Sequence, residues 1–174
     1  MEAMKNIVLI GMPATGKSVV GKALAAKLGY TFVDVDDLIV AEAGKPLSAI
    51  LYESGPDALL ELENRVGRSM KTEKTVISTG GSMVLSEEAM EHLRHDAVVI
   101  WLQTPLAQLC ERLPDDLWER GIIAPRDWTV EQIYEQRQPL YIHYADLIVA
   151  GVDGQEDMAH RVEQILRMVG MELR

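Results

Sequence analysis

The eight residues Gly11-Met12-Pro13-Ala14-Thr15-Gly16-Lys17-Ser18 fit G-x-x-x-x-G-K-[ST] and follow an apolar run, Ile7 to Ile10, that reads as a buried strand. Few backbones accommodate that octapeptide. Its glycines let successive N–H groups curl around a polyphosphate, Lys17 can reach the β- and γ-phosphates, and the Ser18 hydroxyl can ligate Mg²⁺. The segment from Val19 to Gly29 has helical periodicity and ends on a glycine, so the positive end of a helix faces the same phosphates. Strand, loop and helix in that order are the context the motif needs. They predict a nucleoside triphosphate site built on Gly11, Ala14, Thr15, Gly16, Lys17, Ser18 and Val19. The alternative is a chance glycine-rich turn before an ordinary helix.

The rest of the composition limits what such a site can serve. With 174 residues the chain predicts one domain, spanning 1–174, that buries about two thirds of the surface its unfolded form exposes. Twenty-seven acidic residues against 17 basic give a formal charge of −10. That balance disfavours nucleic acid and anionic membranes as partners, because neither gains from surface attraction here. A small-molecule substrate is expected instead; a monomer is also expected, though not on the ground of charge. The single cysteine, Cys110, excludes an internal disulfide and most thiolate metal sites, and its helical setting predicts a core thiol. The stretch from Met1 to Lys5 leads into a strand too short for a signal h-region or a membrane span, so a cytoplasmic, unexported protein is expected.

Short β-branched runs alternate with longer amphipathic stretches. Ile7–Ile10, Thr31–Val35, Thr75–Ser78, Ala97–Leu102 and Leu147–Val149 read as strands. Between them, helices are predicted over Gly16–Leu28, Leu38–Ala43, Leu47–Glu53, Pro56–Lys71, Ser86–Arg94, Pro105–Leu113 and Thr129–Ala145, with a closing helix over Gln155–Met171. This pattern is α/β: a five-stranded parallel sheet flanked by helices, a three-layer sandwich of the P-loop NTPase kind. Ligands in such sheets bind beyond the carboxyl ends of the strands, so chemistry is sought just after each one.

After the second strand, Asp34-Val35-Asp36-Asp37 places two carboxylates, Asp34 and Asp36, on the same side by strand alternation. Alternatively Asp36 or Asp37 caps a helix beginning near Leu38. After the third, Thr79-Gly80-Gly81-Ser82 permits close approach of backbone to a ligand. Residues 112–127 are rich in charged and turn-forming types and resemble a mobile lid that delivers arginines to phosphates, or else a solvated loop. Arg137, before Pro139, reads on its own as a surface charge. None of the four histidines falls in a motif.

Together these segments resemble the shikimate kinase family of P-loop metabolite kinases. The likeness runs from about Lys5 to Leu166 and rests on Gly11-Met12-Pro13, Phe32-Val33-Asp34-Val35-Asp36, Ile77-Ser78-Thr79-Gly80-Gly81 and Arg137-Gln138-Pro139-Leu140-Tyr141 in family order. The resemblance implies that ATP is bound by Lys17 and the loop amides, with Mg²⁺ held by Ser18 and, through water, Asp34. It further implies that Asp36 orients the acceptor hydroxyl and accepts its proton, that Gly80 and Gly81 line the acceptor pocket, and that Arg137 grips a substrate carboxylate. Arg120 stands where the family has its phosphate-stabilising arginine, and Arg112 where one stacks on adenine. The family's Arg-Pro-Leu-Leu reads Arg120-Gly121-Ile122-Ile123 here, a loose match.

The chemistry of phosphoryl transfer supports the same roles, since it depends on positioning and on neutralising charge at the transferring group. Lys17, Mg²⁺ and Arg120 supply that charge, and Asp36 is the carboxylate in register with the acceptor.

Two departures bear on the acceptor. The family's Gly-Glu-x-x-Phe-Arg-x-x-Glu reads Gly55 to Glu63 here, with its arginine replaced by Leu60. Loss of a buried charge-assisted partner costs roughly 2–5 kcal/mol of binding. Arg65 and Arg68 lie about 140° and 80° around the helix from Leu60 and are no obvious substitutes. The third glycine of the Gly-Gly-Gly loop is Ser82, which narrows the pocket and adds a hydroxyl. Glu63, without its arginine neighbour, becomes an unpaired carboxylate that would welcome a cation. The resemblance makes shikimate the leading acceptor, and these departures make a hydroxy amino acid such as homoserine the alternative. A reading from another class, a non-catalytic nucleotide-binding module, needs no base and is disfavoured by Asp36.

Overall fold

The computed structural model describes residues 5–151 and 158–172. Five strands, β1 (Asn6–Ile10), β2 (Thr31–Asp34), β3 (Thr75–Ser78), β4 (Ala97–Gln103) and β5 (Leu147–Ala150), form one sheet in the order β2-β3-β1-β4-β5. Every pairing is parallel. Parallel neighbours require crossovers, and helices supply them. These are α1 (Lys17–Leu28), α2 (Val35–Ala43), α3 (Leu47–Ser54), α4 (Pro56–Ser69), α5 (Glu87–Arg94), α6 (Leu106–Arg112) and α7 (Val130–Tyr144), while α8 (Met158–Glu172) follows the last strand. The predicted start of the last helix, residues 155–157, lies outside the described residues.

The three layers follow from strand periodicity. Along β1, Val8 and Ile10 join the core beneath α2, α4, α5 and α7, while Ile7 and Leu9 join a second core beneath α1 and α8. In β4, Val99 and Trp101 divide from Val98, Ile100 and Leu102 in the same way. Both faces are covered, which is why these strands read as continuous apolar runs rather than alternating ones.

Local chemistry sets the element ends that matter for the site. A left-handed Gly16 (φ +89°) precedes α1, and a left-handed Gly29 closes it. Thr129 and Gln132 form a reciprocal capping box at the start of α7. That helix then runs through Pro139 and keeps Arg137 inside it.

One predicted boundary is corrected. The second strand stops at Asp34, and α2 begins at Val35, not near Leu38. The cap is Asp34, whose Oδ1 accepts from the Asp36 N–H at 2.9 Å, so neither Asp36 nor Asp37 fills that role. Among the described residues no helix is long and apolar enough to cross a membrane.

Candidate active site

The carboxyl ends of β1, β2 and β3 open into a cavity of about 460 Å³. Its floor is the glycine-rich loop. Gly11 leaves β1 with φ +149°, and a Cβ there would stand 2.7 Å from the Leu102 carbonyl oxygen, so only glycine lets the loop pass β4. Cations hold the loop's carbonyls. Lys17 Nζ donates to the oxygens of Gly11 and Met12, both at 2.8 Å. Arg112 Nη1 donates to that of Ala14 at 3.0 Å, and Arg161 Nη1 to that of Thr15 at 2.9 Å. In a trans peptide the following N–H points the other way, so carbonyls turned onto cations leave amides for an anion.

Burial brings the Lys17 ammonium down to about 8, opposed chiefly by the nearby Asp36 carboxylate. Ser18, the next residue, donates its hydroxyl to Asp34 Oδ2, and Ser78 Oγ lies 3.4 Å from Ser18 Oγ. A hydroxyl and a carboxylate side by side beneath the phosphate loop form an oxygen donor set suited to Mg²⁺, which takes few protein ligands and keeps several waters.

Asp36 lies in the first turn of α2 and faces the cavity. Burial raises its carboxyl to about 6, with the Asp34 charge adding to the rise and Lys17 opposing it. Opposite stands Glu63 of α4, 2% exposed, whose Oε2 accepts from Ser82 Oγ at 2.5 Å while Oε1 has no partner. Burial pushes its carboxyl up to about 7, against the pull of the Ser82 hydrogen bond. Gly80 fits between the two acids. A Cβ there would meet Asp36 Oδ1 at 2.8 Å and Glu63 Oε1 at 2.9 Å, and one on Gly81 would meet Pro13 Cδ at 2.6 Å.

Arg137 is fully buried and lines the same cavity, which overturns the surface-charge reading. Its Nη2 donates to the Ile123 carbonyl at 2.5 Å, and Nε and Nη1 have no partner. A buried guanidinium with vacant donors is costly unless a ligand fills them.

Residues 112–127 roof the cavity. Leu117, Ile122, Ile123 and Ala124 are buried, so the segment is a packed element and not a solvated loop. Tyr52 of α3 donates to Asp116 at 2.6 Å, Trp118 Nε1 donates to the Ala124 carbonyl at 2.8 Å, and the Arg126 guanidinium lies 4.9 Å from the Tyr52 ring centroid. Gly121 is held so close to α3 that a Cβ would come 2.5 Å from Leu47 Cβ.

Of the predicted residues, Ala14, Gly16, Lys17, Ser18, Val19, Asp34, Asp36, Glu63, Gly80, Gly81, Ser82, Arg112, Arg120 and Arg137 share this cavity wall. Three do not. Gly11 contributes through its carbonyl behind the loop, and the Thr15 side chain is buried away from the opening. Leu60 packs half-buried against the core, and Leu59, one residue earlier, takes the wall position. Arg65 and Arg68 pair at the surface with Glu42 and Glu88. Cys110 is exposed, contrary to the core-thiol expectation, because it falls on the outer side of the short helix α6, whose Leu109 is buried. Sequence reasoning missed Arg161 and the apolar wall of Ile39, Leu47, Leu59, Ile122 and Ile123.

A phosphate-cradling loop, a hydroxyl–carboxylate pair beside it and a buried carboxylate across from a buried arginine define a P-loop phosphotransferase acting on a small acid. The sequence matches the Shikimate kinase family model over residues 13–169. It is 38% identical over 139 residues to the shikimate kinase of Persephonella marina, covering 79% of this chain and 84% of that protein. It is 39% identical over 145 residues to that of Thermosynechococcus vestitus, covering 82% and 78%. The fold superposes with a TM-score of 0.84 on an Acinetobacter baumannii shikimate kinase in complex with shikimate, at 23% identity and over 98% and 96% of the two chains. The chain belongs to the shikimate kinase family, ATP-dependent kinases that act on an alcohol group.

Proposed function

We propose that this protein transfers the γ-phosphate of ATP to a ring hydroxyl of shikimate, forming shikimate 3-phosphate. The observation that carries the reading is Arg137: a fully buried cation with two vacant donors, on the same cavity as Asp36 and Lys17. An acceptor carboxylate satisfies those donors and so presents the far side of a small hydroxy acid to Asp36. Asp36, with a carboxyl tuned to about 6, is ionised at neutral pH and basic enough to take the hydroxyl proton as the oxygen–phosphorus bond forms. Lys17 exchanges its carbonyl partners for phosphate oxygens, and Arg120 adds charge from the roof.

Ser18 and Asp34 would hold Mg²⁺, which supplies charge neutralisation at the phosphates. The packed roof over residues 112–127 excludes water from transfer and opens for exchange as a mobile lid. The site is complete within one chain, which supports a monomer. A lone exposed Cys110 fits a reducing cytoplasm, and nothing in this acidic surface favours nucleic acid or membrane.

One observation favours a second acceptor class. Glu63 Oε1 is buried without a partner beside Asp36, so a hydroxy amino acid such as homoserine would place its carboxylate on Arg137 and its ammonium on Glu63. A coupled ADP-release assay against shikimate, homoserine and small hydroxy acids, with Asp36→Asn as control, decides between them. Turnover of shikimate that Asp36→Asn abolishes supports the first reading. Turnover confined to a hydroxy amino acid supports the second, and ATP binding without turnover of any acceptor returns the site to a nucleotide-binding module.

A further inference from the structure

Arg161 of α8 is 4% exposed, and its guanidinium reaches the underside of the phosphate loop. Nη1 donates to the Thr15 carbonyl at 2.9 Å, while Nη2 donates to the Gln103 carbonyl at 3.0 Å and lies 3.5 Å from Thr104 Oγ1. One side chain thus ties the loop to the end of β4. We propose that Arg161 is a positioning residue for nucleotide phosphate, acting by fixing the orientation of the Thr15–Gly16 peptide.

The chain has no cis peptide among its described residues, so the Gly16 N–H points opposite to the Thr15 carbonyl. With that carbonyl drawn toward α8, the N–H is turned to the side on which Gly16 borders the cavity. Gly16 has φ +89°, and glycine populates both halves of φ space with little preference. Nothing intrinsic to the residue prevents this peptide from rotating and presenting an oxygen, in place of a donor, to an anion.

Arg112 holds the preceding peptide through the Ala14 carbonyl, but it is exposed and belongs to the roof segment. Arg161 is buried and acts from below, so its hold persists whatever the roof does. The second anchor on Gln103 and Thr104 keeps the guanidinium from following the loop if the loop moves.

The inference rests on the loop being the nucleotide phosphate site, and its test separates the two. ADP and AMP binding, with Mg²⁺, would be titrated calorimetrically into the full chain and its Arg161→Met and Arg161→Lys variants. ADP affinity is expected to fall on the order of tenfold in Arg161→Met and less in Arg161→Lys, with AMP, which brings no β-phosphate to the loop, unaffected. In turnover, the KM for ATP should rise while that for the acceptor stays put. In Arg161→Ala, millimolar guanidinium should restore part of the ADP affinity. If Arg161→Met does not fold, Arg161→Lys and the guanidinium experiment decide. Folded variants with a lowered Tm but wild-type ADP affinity overturn the positioning role alone, whereas a wild-type protein that does not bind ADP overturns the loop reading and this inference with it.

Discussion

Replacing Arg137 with methionine removes the group proposed above to hold the acceptor carboxylate while keeping a side chain of similar length. The guanidinium already gives one donor to Ile123, so under the proposed assignment the acceptor would meet Nε and Nη1. A hydrogen bond to a charged group contributes about 1.5–3 kcal/mol, so losing even one raises the acceptor KM roughly 10- to 150-fold. Arg137→Lys keeps the charge but not the planar set of donors, and should fall between wild type and methionine. The assay is coupled ADP release with each substrate varied in turn, and the KM for ATP is expected to stay within about twofold, since the phosphates are held by the loop at the other end of the cavity. Tm is read alongside, because the substitution removes a buried charge and also orphans the Ile123 carbonyl, effects of opposite sign. An unchanged acceptor KM, or a parallel rise in both KM values, would refute the assignment of Arg137 to the acceptor carboxylate.

Three further outcomes are expected. Asp36→Asn should lower kcat by about two to four orders of magnitude with ADP affinity retained, and wild-type kcat/KM should drop about tenfold per unit below pH 6 as the Asp36 carboxylate is protonated, a limb missing from the residual activity of the variant. Glu63 takes up its proton more tightly folded than unfolded, so wild-type stability should decline as pH rises from about 4.5 to 7. Glu63→Gln removes that decline and should gain on wild type by up to roughly 3 kcal/mol by pH 8, as followed by urea melts across the range. Gly80→Ala sets a methyl against Asp36 Oδ1 and Glu63 Oε1, and should raise the acceptor KM at least tenfold while leaving ADP binding intact by calorimetry.

What the sequence made legible is what depends on local order. The phosphate loop is a run of consecutive residues, and the strands of a sheet covered on both faces are continuous apolar runs, so both could be read without tertiary knowledge. The acceptor side was harder, because it is assembled by helix facing. Leu59 and Leu60 are four and three residues before Glu63, and both spacings put a side chain near it on one helix face, so spacing alone does not choose the wall residue. The boundary at Asp34 was misplaced for a related reason: the apolar alternation of Phe32 to Val35 continues past the strand, and only the Asp34 cap shows that the chain has already turned into a helix. Arg161 did leave a signal. It precedes Ile165 and Val169 at intervals of four, on the buried stripe of α8 rather than its wet face, and a charge in that register is a charge with a buried partner.

The charge distribution explains how so acidic a molecule can gather two anionic substrates. Lys17, Arg112, Arg120 and Arg137 line the cavity against Asp34, Asp36 and Glu63, a near balance inside a chain of net −10. Burial pushes the Glu63 carboxyl up toward protonation, which withdraws part of the acidic charge and adds to the positive excess within the cavity. Low-dielectric walls strengthen the attraction there, while the exterior repels the same anions wherever else they approach. Two of the four cations, Arg112 and Arg120, sit on the segment that roofs the site, so the lid movement proposed above would carry half of the cavity's cations toward or away from the phosphates. If the segment opens as proposed, two of the four cations leave with it, and a phosphorylated product is held less tightly than it would be by a cavity whose four cations were all fixed.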